Sequence, residues 1–174
     1  NEPDKSEKVQ REYILKIRDC LEKHSSKIPF IVGHVPLTSL SVKKSDVIVT
    51  KCHMYNDVLL SEFIDMLKMY RVIYLCADTH NFQVSNLDNN IIQIIAGTVG
   101  ADPDVLPRRQ PLHILSNPAS NLEDYQMMFK LGKYNINGYY RNSFGYTIIE
   151  VDHNNTIHLT YKCLMVPESI EKVN

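Results

Sequence analysis

Apolar residues at helical spacing dominate two segments in the first 70 residues of this chain. An amphipathic pattern predicts a helix over about residues 6–24. A second such pattern predicts a helix that ends near Tyr70, with Asn56 or Asp57 as the residue that caps its first turn. Both segments have one apolar face, so each helix is expected to pack against a shared core.

A short continuous apolar run follows each of the two predicted helices. Residues 28–32 and 72–76 have the composition of strands that are covered on both faces. The first 80 residues therefore predict the order helix, strand, helix, strand, which is typical of a βαβ arrangement. Residues 47–49 fit either a strand or a buried loop.

The second half of the chain has the pattern of antiparallel strands. Residues 82–87 and 91–96 flank a turn-forming Asp-Asn-Asn segment, and residues 146–151 and 156–162 flank another turn. We expect a hairpin at each place.

Between these hairpins, the capping-box spacing of Ser120 and Glu123 predicts a short helix that Gly132 closes. The chain has no internal repeat and no long linker. The prediction is one domain of the α/β class over residues 1–166, with residues 167–174 as a tail.

Composition excludes some classes of function. The net charge of −1 and the dispersed basic residues give no clear patch for nucleic acid. No apolar run approaches about 18 residues, so we expect no membrane span. No signal peptide is recognised, which leaves the compartment open and is compatible with the cytosol. The cysteines lack the CxxC spacing of a zinc knuckle, and Cys20 and Cys76 are expected to be buried.

Residues that can bind metal follow both apolar runs. His34 comes after the first run, and Asp78 and His80 come after the second. If the second strand continues in extended form, the side chains of Asp78 and His80 point to the same side. On neighbouring strands the three residues would meet at one edge of a sheet. The alternatives are a histidine satisfied within a turn and an aspartate that caps its own backbone.

Four segments, in this order, resemble the C-terminal half of a calcineurin-like metallophosphoesterase, a relative of the purple acid phosphatases. They are Gly-His-Val-Pro-Leu at 33–37, Ala-Asp-Thr-His-Asn-Phe-Gln at 77–83, Ile-Ala-Gly-Thr-Val-Gly-Ala at 95–101 and the Gly-Tyr strand at 145–151. Within the third segment, Gly-Thr-Val-Gly at 97–100 also fits an anion-binding turn or a turn after a strand, and it is not a P-loop.

The resemblance implies a layered α/β/β/α sandwich, of which this chain supplies the C-terminal half. It implies a dinuclear centre of Zn, Fe or Mn, with His34 and Asp78 at the second metal and His80 at the first. It also implies hydrolysis of a phosphoester, in which two metals lower the pKa of water and hold the oxygens of an in-line displacement. Catalytic and phosphate-binding residues are not assigned.

This sequence departs from the family pattern in two ways. Asp78 occupies the place of the first histidine in Gly-His-x-His, and the family's Asp-x-His and Gly-Asn-His motifs do not occur within residues 1–174. We therefore expect an N-terminal half, from the same precursor or a separate chain, and no activity without it. One alternative is a catalytically degenerate domain that serves as a structural or binding module. Another is an unrelated α/β domain with one mononuclear site.

Overall fold

A computed structural model describes residues 5–43, 46–98, 115–118, 124–141 and 143–164. The helices are α1 (Lys5–Lys23) and α2 (Asp57–Met69). The strands are β1 (Phe30–Val32), β2 (Thr38–Lys43), β3 (Asp46–Lys51), β4 (Ile73–Cys76), β5 (Phe82–Leu87), β6 (Ile91–Ala96), β7 (Leu115–Pro118), β8 (Asp124–Leu131), β9 (Tyr134–Arg141), β10 (Phe144–Val151) and β11 (Ile157–Leu164).

Seven strands form one mixed sheet, in the order β1-β4-β6-β5-β9-β8-β7. Strands β1, β4 and β6 are parallel, and each remaining pair in the sheet is antiparallel. The carboxyl ends of β1, β4 and β6 therefore meet at one edge. The sheet confirms the predicted α/β class and the predicted adjacency of the first two apolar runs.

Both helices pack on one face of this sheet. The α2 residues Phe63, Ile64 and Leu67 join sheet residues such as Ile95 in the main core. The Asn56 side chain accepts a hydrogen bond of 2.8 Å from the Leu59 N–H, which confirms the predicted cap. Each fully buried aliphatic side chain contributes roughly 1.5–3 kcal/mol. Neither helix in the described ranges is long and apolar enough to cross a membrane.

The hairpin β10–β11 packs on the opposite face of the main sheet as a separate two-stranded sheet. Apolar side chains of the hairpin, among them Ile149 and Leu159, contact a cluster that contains Ile73, Phe82 and Ile94. Beyond the hairpin, apolar side chains of this face are exposed to solvent. Val32 is 78% exposed and Ile92 is 42% exposed. We call this side of the sheet the hairpin face.

The predicted short helix near residues 120–132 is wrong where the structure describes it. Residues 124–131 form β8, which pairs with β9 in the register Leu131↔Tyr134. Gly132 has a φ of 55° and closes the tight turn between the two strands instead of ending a helix. The Tyr134 ring is buried and fixes this pairing against the core. Residues 120–123 lie outside the described ranges.

Residues 47–49 lie in β3, which forms a hairpin with β2. The sequence did not predict β2, because its Thr and Ser residues resemble a polar loop. Thr38 and Ser39 are nevertheless buried.

Candidate functional site

His34 and Asp78 lie side by side at the tips of two neighbouring parallel strands. The Gly33 N–H donates to the Leu75 carbonyl at 2.9 Å, and the Ala77 N–H donates to the His34 carbonyl at 3.1 Å. These backbone bonds extend the pairing of β1 with β4 past the last strand residues. As a result, His34 Nε2 lies 3.3 Å from Asp78 Oδ1, and both side chains are largely open to solvent.

The backbone after β4 bends sharply instead of continuing as a strand. Asp78 has a φ of 57°, in the left-handed region that few residues other than glycine adopt. The Thr79 N–H donates to the Ala77 carbonyl at 2.6 Å, and the Asn81 N–H donates to the Thr79 carbonyl at 2.8 Å. The strand alternation expected to align Asp78 with His80 does not apply here. His80 is exposed in this bend.

Two glycines allow the strand tips to approach closely. A Cβ atom on Gly33 would lie 2.1 Å from the Tyr74 hydroxyl, and one on Gly97 would lie 1.9 Å from the Thr79 carbonyl oxygen. The Tyr74 hydroxyl donates to the Val35 carbonyl at 3.0 Å. Burial raises the pKa of Tyr74, and neighbouring Cys52 and Cys76 raise it further, so the hydroxyl keeps the proton it donates.

Two buried glutamine side chains hold the start of β2 against the main sheet. Gln93 accepts from the Leu37 N–H and donates to the Thr38 carbonyl, each at 2.7 Å. Gln83 accepts from the Leu40 N–H at 3.0 Å and donates to the Leu40 carbonyl at 2.7 Å. Each amide thus pairs with the backbone of β2 as a neighbouring strand would. We call Gln83 and Gln93 the glutamine clamp.

The same network reaches the bend that holds Asp78. The hydroxyls of Ser39 and Thr79 are 3.1 Å apart, and the Asn81 amide donates to the Leu40 carbonyl at 3.2 Å. The segment after His34 and the segment around Asp78 are therefore tied together by buried polar contacts. Sequence reasoning missed these residues. The available signal was one glutamine within the apolar run of residues 91–95.

The tip of β6 makes structural contacts. The Thr98 hydroxyl donates to the Gly145 carbonyl at 2.9 Å and lies 3.0 Å from the Tyr161 hydroxyl. These bonds connect the tip of β6 to the hairpin β10–β11. The anion-binding turn proposed for residues 97–100 includes two residues outside the described ranges. Within those ranges, Thr98 already uses its hydroxyl to hold the hairpin.

The cysteines have different exposures. Cys76 is buried, as expected, whereas Cys20 is exposed on α1 in contrast to the prediction. Burial raises the pKa of Cys76 to about 12 and also raises the pKa of Cys52. Because the thiolate is the form that attacks carbon and binds metal, neither Cys52 nor Cys76 has the properties of a nucleophile or a ready ligand.

The donor atoms at the strand tips do not complete a metal centre by themselves. In the ranges that the structure describes, no group of three or more His, Cys, Asp or Glu side chains is arranged to hold a metal. His34 and Asp78 supply one imidazole and one carboxylate. A zinc site needs three or four protein ligands, so this pair is short of a full set. The assignment of His34, Asp78 and His80 as ligands stays a prediction.

Comparison with protein-family models gives no match, and neither does comparison with curated proteins.

Proposed function

We propose that this chain supplies part of the metal site of a metal-dependent phosphoesterase. The observation that carries the proposal is the pair His34 and Asp78, 3.3 Å apart at the tips of adjacent parallel strands. Crevices at the carboxyl ends of parallel strands are the usual location of ligand sites in α/β folds. Imidazole and carboxylate groups together suit Zn, Fe or Mn.

The backbone around Asp78 also supports a site. Aspartate tolerates positive φ better than most non-glycine residues, so this bend depends on its residue type and on enforcement by surrounding contacts. The contacts of Thr79 and Asn81 with the β2 hairpin provide that enforcement. We infer that the chain maintains this bend to present Asp78 toward His34.

The hairpin face supports a layered fold that needs a second sheet. The helices cover one face of the main sheet, and the hairpin β10–β11 covers only part of the other. Val32, Ile92 and Phe30 are exposed on the hairpin face, at 78%, 42% and 38%. A sheet from the N-terminal half would cover them and complete an α/β/β/α sandwich. That half would also supply the metal ligands needed in addition to His34, Asp78 and His80.

The test is hydrolysis of a simple phosphoester by the protein purified in its native form without chelators. We expect it to hydrolyse 4-nitrophenyl phosphate or the corresponding diester, and to lose activity on chelation and regain it with Mn, Zn or Fe. The His34→Ala change should lower activity by at least about 10–100-fold, the range for disturbed metal sites.

His158 provides a matched control for this experiment. Its Nε2 lies 3.4 Å from Asp152 Oδ2, its side chain is 56% exposed, and it lies in β11 away from the strand tips. The His158→Ala change should therefore leave hydrolysis unchanged. Equal loss in both variants, or activity that is indifferent to chelation, would contradict the proposal.

A second candidate is a degenerate module that binds without catalysis. The replacement of histidine by Asp78 favours it, because a carboxylate that pairs with His34 changes the charge of the site and its metal preference. Metal binding with hydrolysis rules this candidate out. A native protein that has neither metal nor hydrolytic activity supports it.

A further inference from the structure

A groove of about 500 Å³ opens on the hairpin face between the main sheet and β11. Its base is a pair of stacked aromatic rings, Phe82 and Tyr161, whose centroids are 3.9 Å apart at an angle of 22°. The volume lies within the range of about 300–1,000 Å³ that is typical of small-molecule sites. The groove is separate from the predicted metal ligands, none of which lines it.

One wall of the groove adds a further aromatic ring and a permanent positive charge. Tyr139 lines it with 59% of its surface exposed, and Arg141 lies beside it on the same face of β9. The guanidinium carbon of Arg141 is 5.7 Å from the centroid of the Tyr161 ring. Because a guanidinium has five N–H donors, Arg141 can keep its contacts with the protein and still meet an anion.

We propose that this groove binds the planar aromatic ring of a small phosphate-bearing ligand of the mononucleotide class. Aromatic side chains and arginine planes are the groups on which bases stack, and arginine also attracts phosphate. Tyr139 provides the accessible ring, and Arg141 provides the charge. The net charge of −1 and the dispersed basic residues argue against a long nucleic acid as the ligand.

One end of the groove lies near the edge of the sheet at which β6 ends. Phe82 pairs with Ala96 at the end of β6, and Arg141 pairs with Phe82. Tyr139 and Arg141 are on β9, which lies three strand spacings from β4 and four from β1, or about 14–19 Å. A mononucleotide held by Tyr139 and Arg141 therefore binds apart from His34 and Asp78. Binding in the groove does not rest on the proposed function.

The test is calorimetric titration of the native protein with AMP, adenosine and inorganic phosphate, each alone. We expect AMP to bind most tightly, adenosine to bind measurably and phosphate to bind most weakly. The Tyr139→Ala change should weaken the binding of adenosine and AMP by about fivefold or more, because base–aromatic stacking is lost. Arg141→Gln should weaken the binding of AMP more than the binding of adenosine.

Tyr13 is the matched control, since it is 61% exposed on α1 and does not line the groove. Tyr13→Ala should leave all three affinities unchanged. Absence of adenosine and AMP binding in the millimolar range, or equal weakening by Tyr13→Ala and Tyr139→Ala, overturns the proposal. Phosphoester hydrolysis without adenosine binding would refute the groove alone. Adenosine binding without hydrolysis would refute only the proposed function.

Discussion

Gly33 has room for a hydrogen atom and not for a methyl group, because the hydroxyl of Tyr74 occupies the space beside it. The same hydroxyl donates to the Val35 carbonyl, so it is held in place. The position of the Tyr74 hydroxyl oxygen thus limits which residue fits at position 33, directly before His34. The close packing of the strand tips depends on this pair.

We predict that Gly33→Ala lowers the free energy of unfolding by about 1–3 kcal/mol, the usual cost of overpacking. Tyr74→Phe removes the oxygen that lies 2.1 Å from the new Cβ but keeps the ring carbon Cζ at 2.8 Å, so it relieves the clash in part. The double variant should therefore be less destabilised than the sum of the two single changes. Urea denaturation of the four proteins measures this coupling. Additivity within about 0.5 kcal/mol would show that the two residues do not interact in this way.

Asp88 makes stability depend on pH. Its carboxylate is 2.9 Å from Lys68 Nζ and accepts from the Asn135 N–H at 2.8 Å. The hydrogen bond from Lys68, followed by the bond from Asn135, lowers the pKa of Asp88 below its ordinary value of 3.8. A carboxyl group with a lowered folded-state pKa stabilises the fold above its unfolded pKa, and this contribution is lost as pH falls through the folded-state value.

Asp88→Asn keeps a residue that tolerates the φ of 47° at this position and removes the titration. We predict that the variant is less stable than the wild type near neutral pH and that the difference shrinks as pH falls below about 4. Urea unfolding at a series of pH values measures it. A difference that stays constant from pH 7 to pH 3 would contradict the role of Asp88.

The side chains of the glutamine clamp bond the backbone at the start of β2 in the way that a neighbouring strand would. Removing Gln93 leaves the Leu37 N–H and the Thr38 carbonyl without these partners in a buried place. Each unsatisfied buried group costs about 1–3 kcal/mol. We predict that Gln93→Leu lowers the free energy of unfolding by about 2–5 kcal/mol.

Gln126 is an exposed glutamine in β8 and serves as the control for the clamp. Gln126→Leu should change the free energy of unfolding by no more than about 0.5 kcal/mol. Chemical denaturation of both variants gives the comparison. Similar effects at the two positions would mean that the hydrogen bonds of Gln93 to β2 contribute nothing measurable to stability.

The sequence predicted the elements whose pattern is local. Helix α2 with its Asn56 cap, strand β4 and the hairpin β10–β11 follow from spacing and turn residues. Strand β2 was missed because its buried backbone groups pair with Gln83 and Gln93, which are distant in sequence. The hydroxyls of Thr38 and Ser39 pair instead with Thr50 and Thr79. The helix expected before Gly132 was wrong because the pairing of β8 with β9 outweighs a weak capping signal.

The candidate site was predictable only in part. A pair of apolar runs, each followed by a metal-capable residue, indicated that His34 and Asp78 would meet, and they lie 3.3 Å apart. The bend at Asp78 depends on hydrogen bonds to the β2 hairpin that no local pattern encodes. The groove beside Tyr139 and Arg141 arises from the packing of β11 on the main sheet, which also lies beyond sequence reasoning.

The two faces of the main sheet differ in how much of their apolar surface is covered. The helices and the β2–β3 hairpin pack on one face, while the hairpin face combines one covering hairpin with exposed apolar side chains. The proposed function would explain this difference by a further sheet that covers these side chains and completes the ligand set at the strand tips. It requires that His34 belongs to a metal site.

Metal content of the native protein, measured by inductively coupled plasma mass spectrometry after purification without chelators, tests this claim most directly. If the proposed function holds, the native protein should contain about two Zn, Fe or Mn ions per chain, a dinuclear stoichiometry. The proposed function also predicts that His34→Ala loses at least about half of this metal and that His158→Ala retains all of it. A wild-type protein without these metals, or a His34→Ala variant with undiminished metal content, would contradict the proposed function.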